Sequence, residues 1–75
     1  MSSVPLGRYY HFKHPDQHYE VLGTALHTET EEQLVIYRAL YGEGTLYARP
    51  LAMFFEQVEK PDFGYAGPRF VLVEA

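Results

Sequence analysis

No cysteine occurs in the chain. That absence removes a disulfide framework, a thiolate zinc site and cysteine catalysis together, and it fits a reducing compartment. Cations are also scarce: six Lys and Arg stand against ten Asp and Glu, for a formal net charge of -4. Affinity for phosphates comes largely from Lys and Arg, so generic, charge-driven binding of nucleic acid is disfavoured, although a local basic patch would override the average. No apolar run approaches the ~20 residues of a membrane-spanning helix, and MSSVPLGRYYHFKH at the start lacks the apolar stretch of a signal peptide. The expectation is a cytoplasmic protein with no membrane partner. There is no phosphate loop, no nucleophile set beside a base, no internal repeat and no low-complexity tract.

What the chain does have is rings. Seven Tyr and five Phe among 75 residues, with 47% hydrophobic residues in all, supply large buried areas from few positions. A chain of this length makes one domain, residues 1–75, and buries only about 60% of its unfolded surface. The lead, residues 1–6, is expected to fray.

The stretch Leu34 to Phe55, LVIYRALYGEGTLYARPLAMFF, organises the rest. LVIYRAL is rich in β-branched and aromatic residues and reads as a strand from Leu34 to Tyr41. Gly42, Glu43 and Gly44 supply a turn, and Thr45 to Arg49 resumes extended spacing, as a hairpin requires. A two-residue loop, the commonest hairpin connection, puts Tyr37, Ala39 and Tyr41 on one face with Leu46 and Ala48, and Arg38, Tyr47 and Arg49 on the other. A three-residue loop slips the register by one and sets Arg38 among Ile36, Leu40, Leu46 and Ala48, leaving a guanidinium to be satisfied on an apolar face. The two-residue loop is the preferred reading. Pro50 then suits a helix start, and Leu51, Phe54, Phe55 and Val58 recur at roughly helical spacing. Tyr37, Tyr41, Phe54 and Phe55 are expected in the core.

Before the hairpin, Arg8 to Lys13 alternates as a strand with Tyr9 and His11 on one side and Tyr10 and Phe12 on the other. His14-Pro15-Asp16-Gln17 reverses the chain, and His18 to Leu26 is a second strand in which Gly23 marks a close approach or a bulge. HTETEEQ, residues 27–33, is a solvated connection. Residues 59–68, with Pro61, Gly64, Gly67 and Pro68, read as a surface loop, and Arg69 to Glu74 is a last strand. The fold class expected is mainly β: a small bent antiparallel sheet or SH3-like barrel of about five strands, with a short helical turn before the last.

Gly7, Tyr9, His11-Phe12-Lys13, Tyr19-Glu20-Val21-Leu22-Gly23, the HxTET set of His27, Thr28, Glu29 and Thr30, VIYRALYG from Val35 to Gly42, and Arg49-Pro50-Leu51 with Met53-Phe54 together resemble a small bacterial family, the domain of unknown function 1653. The resemblance runs from Gly7 to Phe70. It departs at His14, where the family usually has glycine, and at Tyr47, where it usually has tryptophan. The family implies no established activity.

Two sets of residues are candidates for a site. Arg38, Tyr47 and Arg49 form the first, because two guanidiniums flanking an aromatic ring can hold a carboxylate, a phosphate or a stacked base. The competing reading pairs Arg38 or Arg49 with Glu20, Glu29 or Glu43 and uses the ring to cover the sheet. The second set is His27 with Glu29, a base beside an orienting carboxylate, against which Thr28 and Thr30 would satisfy the turn while His27 and the acids are solvated. His11, His14 and His18 span a strand and a proline turn and do not converge as zinc ligands must, so neither a metal nor any cofactor is assigned. The function expected is a binding or interaction module for a peptide, a nucleic acid segment or an anionic metabolite, the alternative being a small enzyme or accessory subunit using His27 and Glu29.

Overall fold

The computed structural model describes residues 5–74. Most of the lead expected to fray, residues 1–4, lies outside the described residues. Seven strands run in chain order: β1 Gly7–His11, β2 His18–Leu26, β3 Gln33–Ala39, β4 Leu46–Pro50, β5 Gln57–Lys60, β6 Tyr65–Pro68 and β7 Phe70–Glu74. One helical turn, α1 Leu51–Phe54, follows β4, with Pro50 capping its start, and a 3-10 turn at Pro61–Phe63 joins β5 to β6. The main sheet is antiparallel throughout, in the order β4-β3-β2-β1-β7, and β5 with β6 forms a separate two-stranded ribbon.

The sheet is bent and open. The expectation of an SH3-like barrel is therefore corrected: β4 and β7 are the two edges of the main sheet and do not pair, and the strands that could have bridged them, β5 and β6, pair with each other. Bending comes from bulges, one between Val21 and Gly23 on β2 and one between Arg8 and Tyr9 against β7. Gly23, at φ 152, occupies the first, and no atom stands within 4 Å of a Cβ added there, so it serves backbone conformation and not a close approach. Residues 57–68, of which 59–68 read as a loop, instead reverse through Pro61 and the left-handed Gly64 into the β5–β6 ribbon.

The alternation of side chains sends Tyr9, Tyr19, Val21, Val35, Tyr37 and Phe70 to one face of the sheet, where Phe54 from α1 closes over them; Val35 and Phe54 are wholly buried. Phe54 stacks on Phe70 with centroids 4.3 Å apart and meets Tyr9 and Tyr37 edge-on. Tyr41 and Phe55, expected in this core, are exposed. Tyr41 belongs to the loop after β3, and Phe55 caps the far end of a four-residue helix that buries Phe54 and packs Leu51 against the core.

The β3–β4 register settles which residues accompany the core. Tyr37 lies opposite Tyr47, Val35 opposite Arg49 and Arg38 opposite Leu46, and the Ala39 N–H donates to Thr45 O at 3.0 Å. The connection is thus the five residues from Leu40 to Gly44, with Gly42 and Gly44 at positive φ. An odd loop gives the facing that a three-residue loop would, so the two-residue reading is wrong. Tyr47 and Arg49 stand on the core face beside Tyr37, and Arg38 stands behind.

Candidate ligand-binding face

Arg38 finds on the back face what the sequence argument did not supply it. A transverse row of paired positions crosses the sheet there: Glu74 on β7, Arg8 on β1, Glu20 on β2 and Arg38 on β3. Arg38 donates to Glu20 at 2.5 Å and Arg8 to Glu74 at 3.5 Å. Signs alternate along the row, so each guanidinium has a carboxylate within reach, although Arg8 Nε stays buried without a partner, and the cost expected of Arg38 among Ile36, Leu46 and Ala48 is offset by Glu20. The row floors a shallow hollow of about 730 Å3, walled in part by Leu22 and Leu40.

Tyr47 and Arg49 remain together on the front, two residues apart on edge strand β4. Tyr47 stacks on Tyr37 with centroids 5.5 Å apart and ring planes 27° apart, and 41% of it stays exposed. Arg49 is half-buried: its Nε donates to the Tyr37 hydroxyl at 3.4 Å and its guanidinium carbon lies 5.4 Å from the centre of the Phe70 ring. Every other arginine has an acid, Arg8 with Glu74, Arg38 with Glu20 and Arg69 with Glu56. Arg49 has none among the described residues. The buried guanidinium nitrogens that lack partners belong to Arg8 and Arg69.

His11, read from the sequence as no metal ligand, lies beside this arginine. It pairs with Phe70 across β1 and β7 and meets the Phe70 ring edge-on at 5.1 Å, the same ring over which Arg49 sits. Its Nδ1 accepts the Lys13 N–H at 3.2 Å, so the neutral ring carries its proton on Nε2. Burial, and then the charges of Arg49, Arg69, Lys13 and His14, push the imidazole from 6.5 to about 4. The second, third and fourth of these causes are all cations, so half of the chain's six Lys and Arg cluster around His11 in an otherwise acidic protein. The signal for His11 was available in the alternation that put it on the side of Tyr9. At the other end of the face, Tyr19 and Tyr41 share a hydrogen bond of 2.6 Å between their hydroxyls, and burial, aided by that bond, raises the Tyr19 hydroxyl well above its ordinary value.

His27 and Glu29 lie elsewhere, in the turn between β2 and β3. His27 Nδ1 accepts the N–H groups of Glu29 at 3.1 Å and Thr30 at 3.3 Å, and Thr30 Oγ1 accepts that of Glu32. The ring nitrogen that a general base would need is therefore occupied by the backbone of its own turn. Glu31, at φ 62, completes that turn, with its N–H on His27 O at 2.8 Å. Among the described residues no three His, Asp or Glu side chains converge as metal ligands, and no helix is long and apolar enough to cross a membrane.

Comparison with known proteins adds the family and stops there. The family model described as "Protein of unknown function (DUF1653)" matches residues 7–72. A crystal structure of a protein belonging to the same family, from Bordetella bronchiseptica, is 33% identical, covering 93% of this chain and 87% of that one, with a TM-score of 0.79. No curated protein matches the chain. A family match over nearly every residue and a solved relative with the same fold agree: the chain belongs to the DUF1653 family of proteins of unknown function.

Proposed function

We propose that this domain is a binding module, and that its front face receives a ligand carrying an anionic group, held by Arg49, and a flat group set against Tyr47. The observation that supports this most is the isolation of Arg49. In a protein with more acids than cations, three arginines are neutralised by carboxylates while the fourth, among the described residues, is held by a hydroxyl and a ring. A guanidinium so pinned presents two parallel N–H groups in a fixed plane, the geometry that recognises carboxylate and phosphate. Tyr47, on the same strand and face, is itself partly exposed. Arg38 takes no part in this reading, because its charge is spent on Glu20. His27 and Glu29 are likewise assigned to the turn, and no reaction is proposed for them. A cysteine-free chain of this kind suits the cytoplasm as its place of action.

The test is chemical-shift mapping on the full chain with short acidic peptides, short RNAs and anionic aromatic metabolites. Perturbations should centre on Tyr47, Arg49 and His11, weaken as salt rises, and disappear in Arg49→Ala while the dispersion of the spectrum stays unchanged. Shifts that centre on the His27 turn or on the Glu20–Arg38 row, or a variant that binds as well as the parent, would overturn the reading.

A further inference from the structure

We propose that the back of the sheet is a docking face for a second copy of this chain, and that the transverse row of charges sets how the two copies meet. Across the sheet the row reads Glu74, Arg8, Glu20, Arg38, one charge on each of β7, β1, β2 and β3. An alternating row of even length is the complement of its own reverse. A two-fold axis lying between two such sheets, along the strands and midway between β1 and β2, therefore sets Glu74 over the partner's Arg38 and Arg8 over the partner's Glu20. Each contact occurs twice, as in any isologous interface. An axis along the row would instead set every charge over its like, so the row selects one orientation and rejects the other. All four side chains stay 40% to 69% exposed with their in-sheet pairs formed, so each can take a second opposite charge.

The spacing of the row names the partner. Charges on neighbouring strands stand about 4.8 Å apart, whereas side chains on one face of an extended peptide repeat about every 6.7 Å and those along one face of a helix about every 5.4 Å. Over the three gaps of the row an extended segment falls out of step by about 6 Å and a helix by about 2 Å, and only another transverse row of a sheet keeps pace. The apolar side chains beside the row obey the same operation. Leu6 and Leu22 line the hollow next to Gly7 and Val21, which pair across β1 and β2, so they stand on either side of the axis and Leu6 meets the partner's Leu22. Both are exposed in the single chain, as is Leu46, next along on β4, which then lies at the partner's β7 edge. The shallow hollow leaves room for these leucines to enter as facing sheets interdigitate. With α1 packed on the front, such a dimer leaves Tyr47 and Arg49 free. The overlap, four strands wide, is roughly 19 by 17 Å of flat sheet, at the small end of specific interfaces, so the association is weak and exchanging.

The experiment is sedimentation of the full chain from about 10 μM to about 1 mM, beside NMR spectra over the same series. The expected result is a monomer–dimer equilibrium that weakens as salt rises, with the signals of Leu6, Leu22 and Leu46 moving with concentration and those of Tyr47 and Arg49 still. Arg38→Glu with Glu20→Arg keeps the in-sheet ion pair with its ends exchanged but turns the cross-copy pairs into like charges, and should weaken association at least about tenfold. Adding Arg8→Glu and Glu74→Arg reverses the whole row and restores both sets of pairs. That fourfold variant should dimerise within about threefold of the parent, yet form no mixed dimer with it. A parent that stays monomeric at the highest concentration, a dimer indifferent to the double exchange, or a folded fourfold variant that stays monomeric would overturn the inference. Should the exchanged variants not fold, the parent series decides alone: concentration shifts centred on Tyr47 and Arg49 would place the contact on the front and end it.

Discussion

Acidification from pH 7 to pH 4 should weaken the fold through His11. The folded protein holds this imidazole down to about 4, by burial first and by Arg49, Arg69, Lys13 and His14 after it. Above its unfolded value of about 6.5 neither the folded nor the unfolded chain carries the proton, so the contribution is flat there. Between about 6.5 and about 4 the unfolded chain binds a proton that the folded chain refuses, and stability falls as pH falls. Below that window both states are protonated and the loss stops growing. At about 1.4 kcal/mol per unit the whole shift would amount to about 3 kcal/mol, and screening of a half-buried ring reduces this to about 1 to 2 kcal/mol. Urea unfolding at pH 7, 6, 5 and 4 should show that loss in the parent and lack it in His11→Asn, whose side-chain oxygen can still accept the Lys13 N–H. The difference between the two curves removes the carboxylates, which both proteins share. An imidazole that titrates near 6.5 by NMR, or two curves that stay parallel, would refute the placement of His11 among these cations.

Three other perturbations test the remaining parts. A double-mutant cycle of Arg38→Ala and Glu20→Ala should give a coupling of about 0.2 to 1 kcal/mol by urea unfolding, since both side chains are nearly half exposed; more than about 2 kcal/mol would mean that the row is buried. Phe54→Ala removes a wholly buried ring stacked on Phe70 and should cost about 3 to 5 kcal/mol, lowering the melting temperature by about 12 °C or more; a loss under about 1 kcal/mol would place the core elsewhere. His27→Ala leaves the N–H groups of Glu29 and Thr30 without their acceptor and should cost about 1 kcal/mol in thermal unfolding, with His27→Asn recovering part of it. Ligand affinity at Arg49 should be unchanged in both.

The five strands of the main sheet were legible because each has β-branched or aromatic residues in alternation, and Pro50 and Gly23 announced the helix start and the bulge through their own backbone limits. The open sheet was not legible, because whether edges meet depends on bend and stagger, which no local pattern records. The β5–β6 ribbon was missed for a related reason: Pro61, Gly64, Gly67 and Pro68 crowd its twelve residues and hide two strands of four. In the central hairpin the preference for a two-residue loop rested on frequency and on the apparent cost of Arg38 behind the sheet. Glu20 offsets that cost, but only once β2 is known to lie beside β3 in the register that pairs Glu20 with Arg38.

The Tyr47–Arg49 face is a unit of β4 alone. Tyr47 and Arg49 are separated by two residues of one strand, so they share a face whatever the loop does, whereas Arg38 sits on the partner strand and changes sides with each one-residue slip. The observed slip also separates the cations by their chemistry. Arg8 and Arg38 go to the back, each opposite an acid in the transverse row, and Arg49 goes to the front, where the side chains that reach it are Tyr37 and Phe70. Guanidinium is weakly hydrated and lies against rings at little cost, which an ammonium does not, so the front position can hold an arginine half-buried and uncompensated. An arginine needed there only to finish the surface would be better served by an acid in reach, as its three counterparts are. The cation left without an acid, on the same face as a partly exposed ring, is what a ligand would meet first.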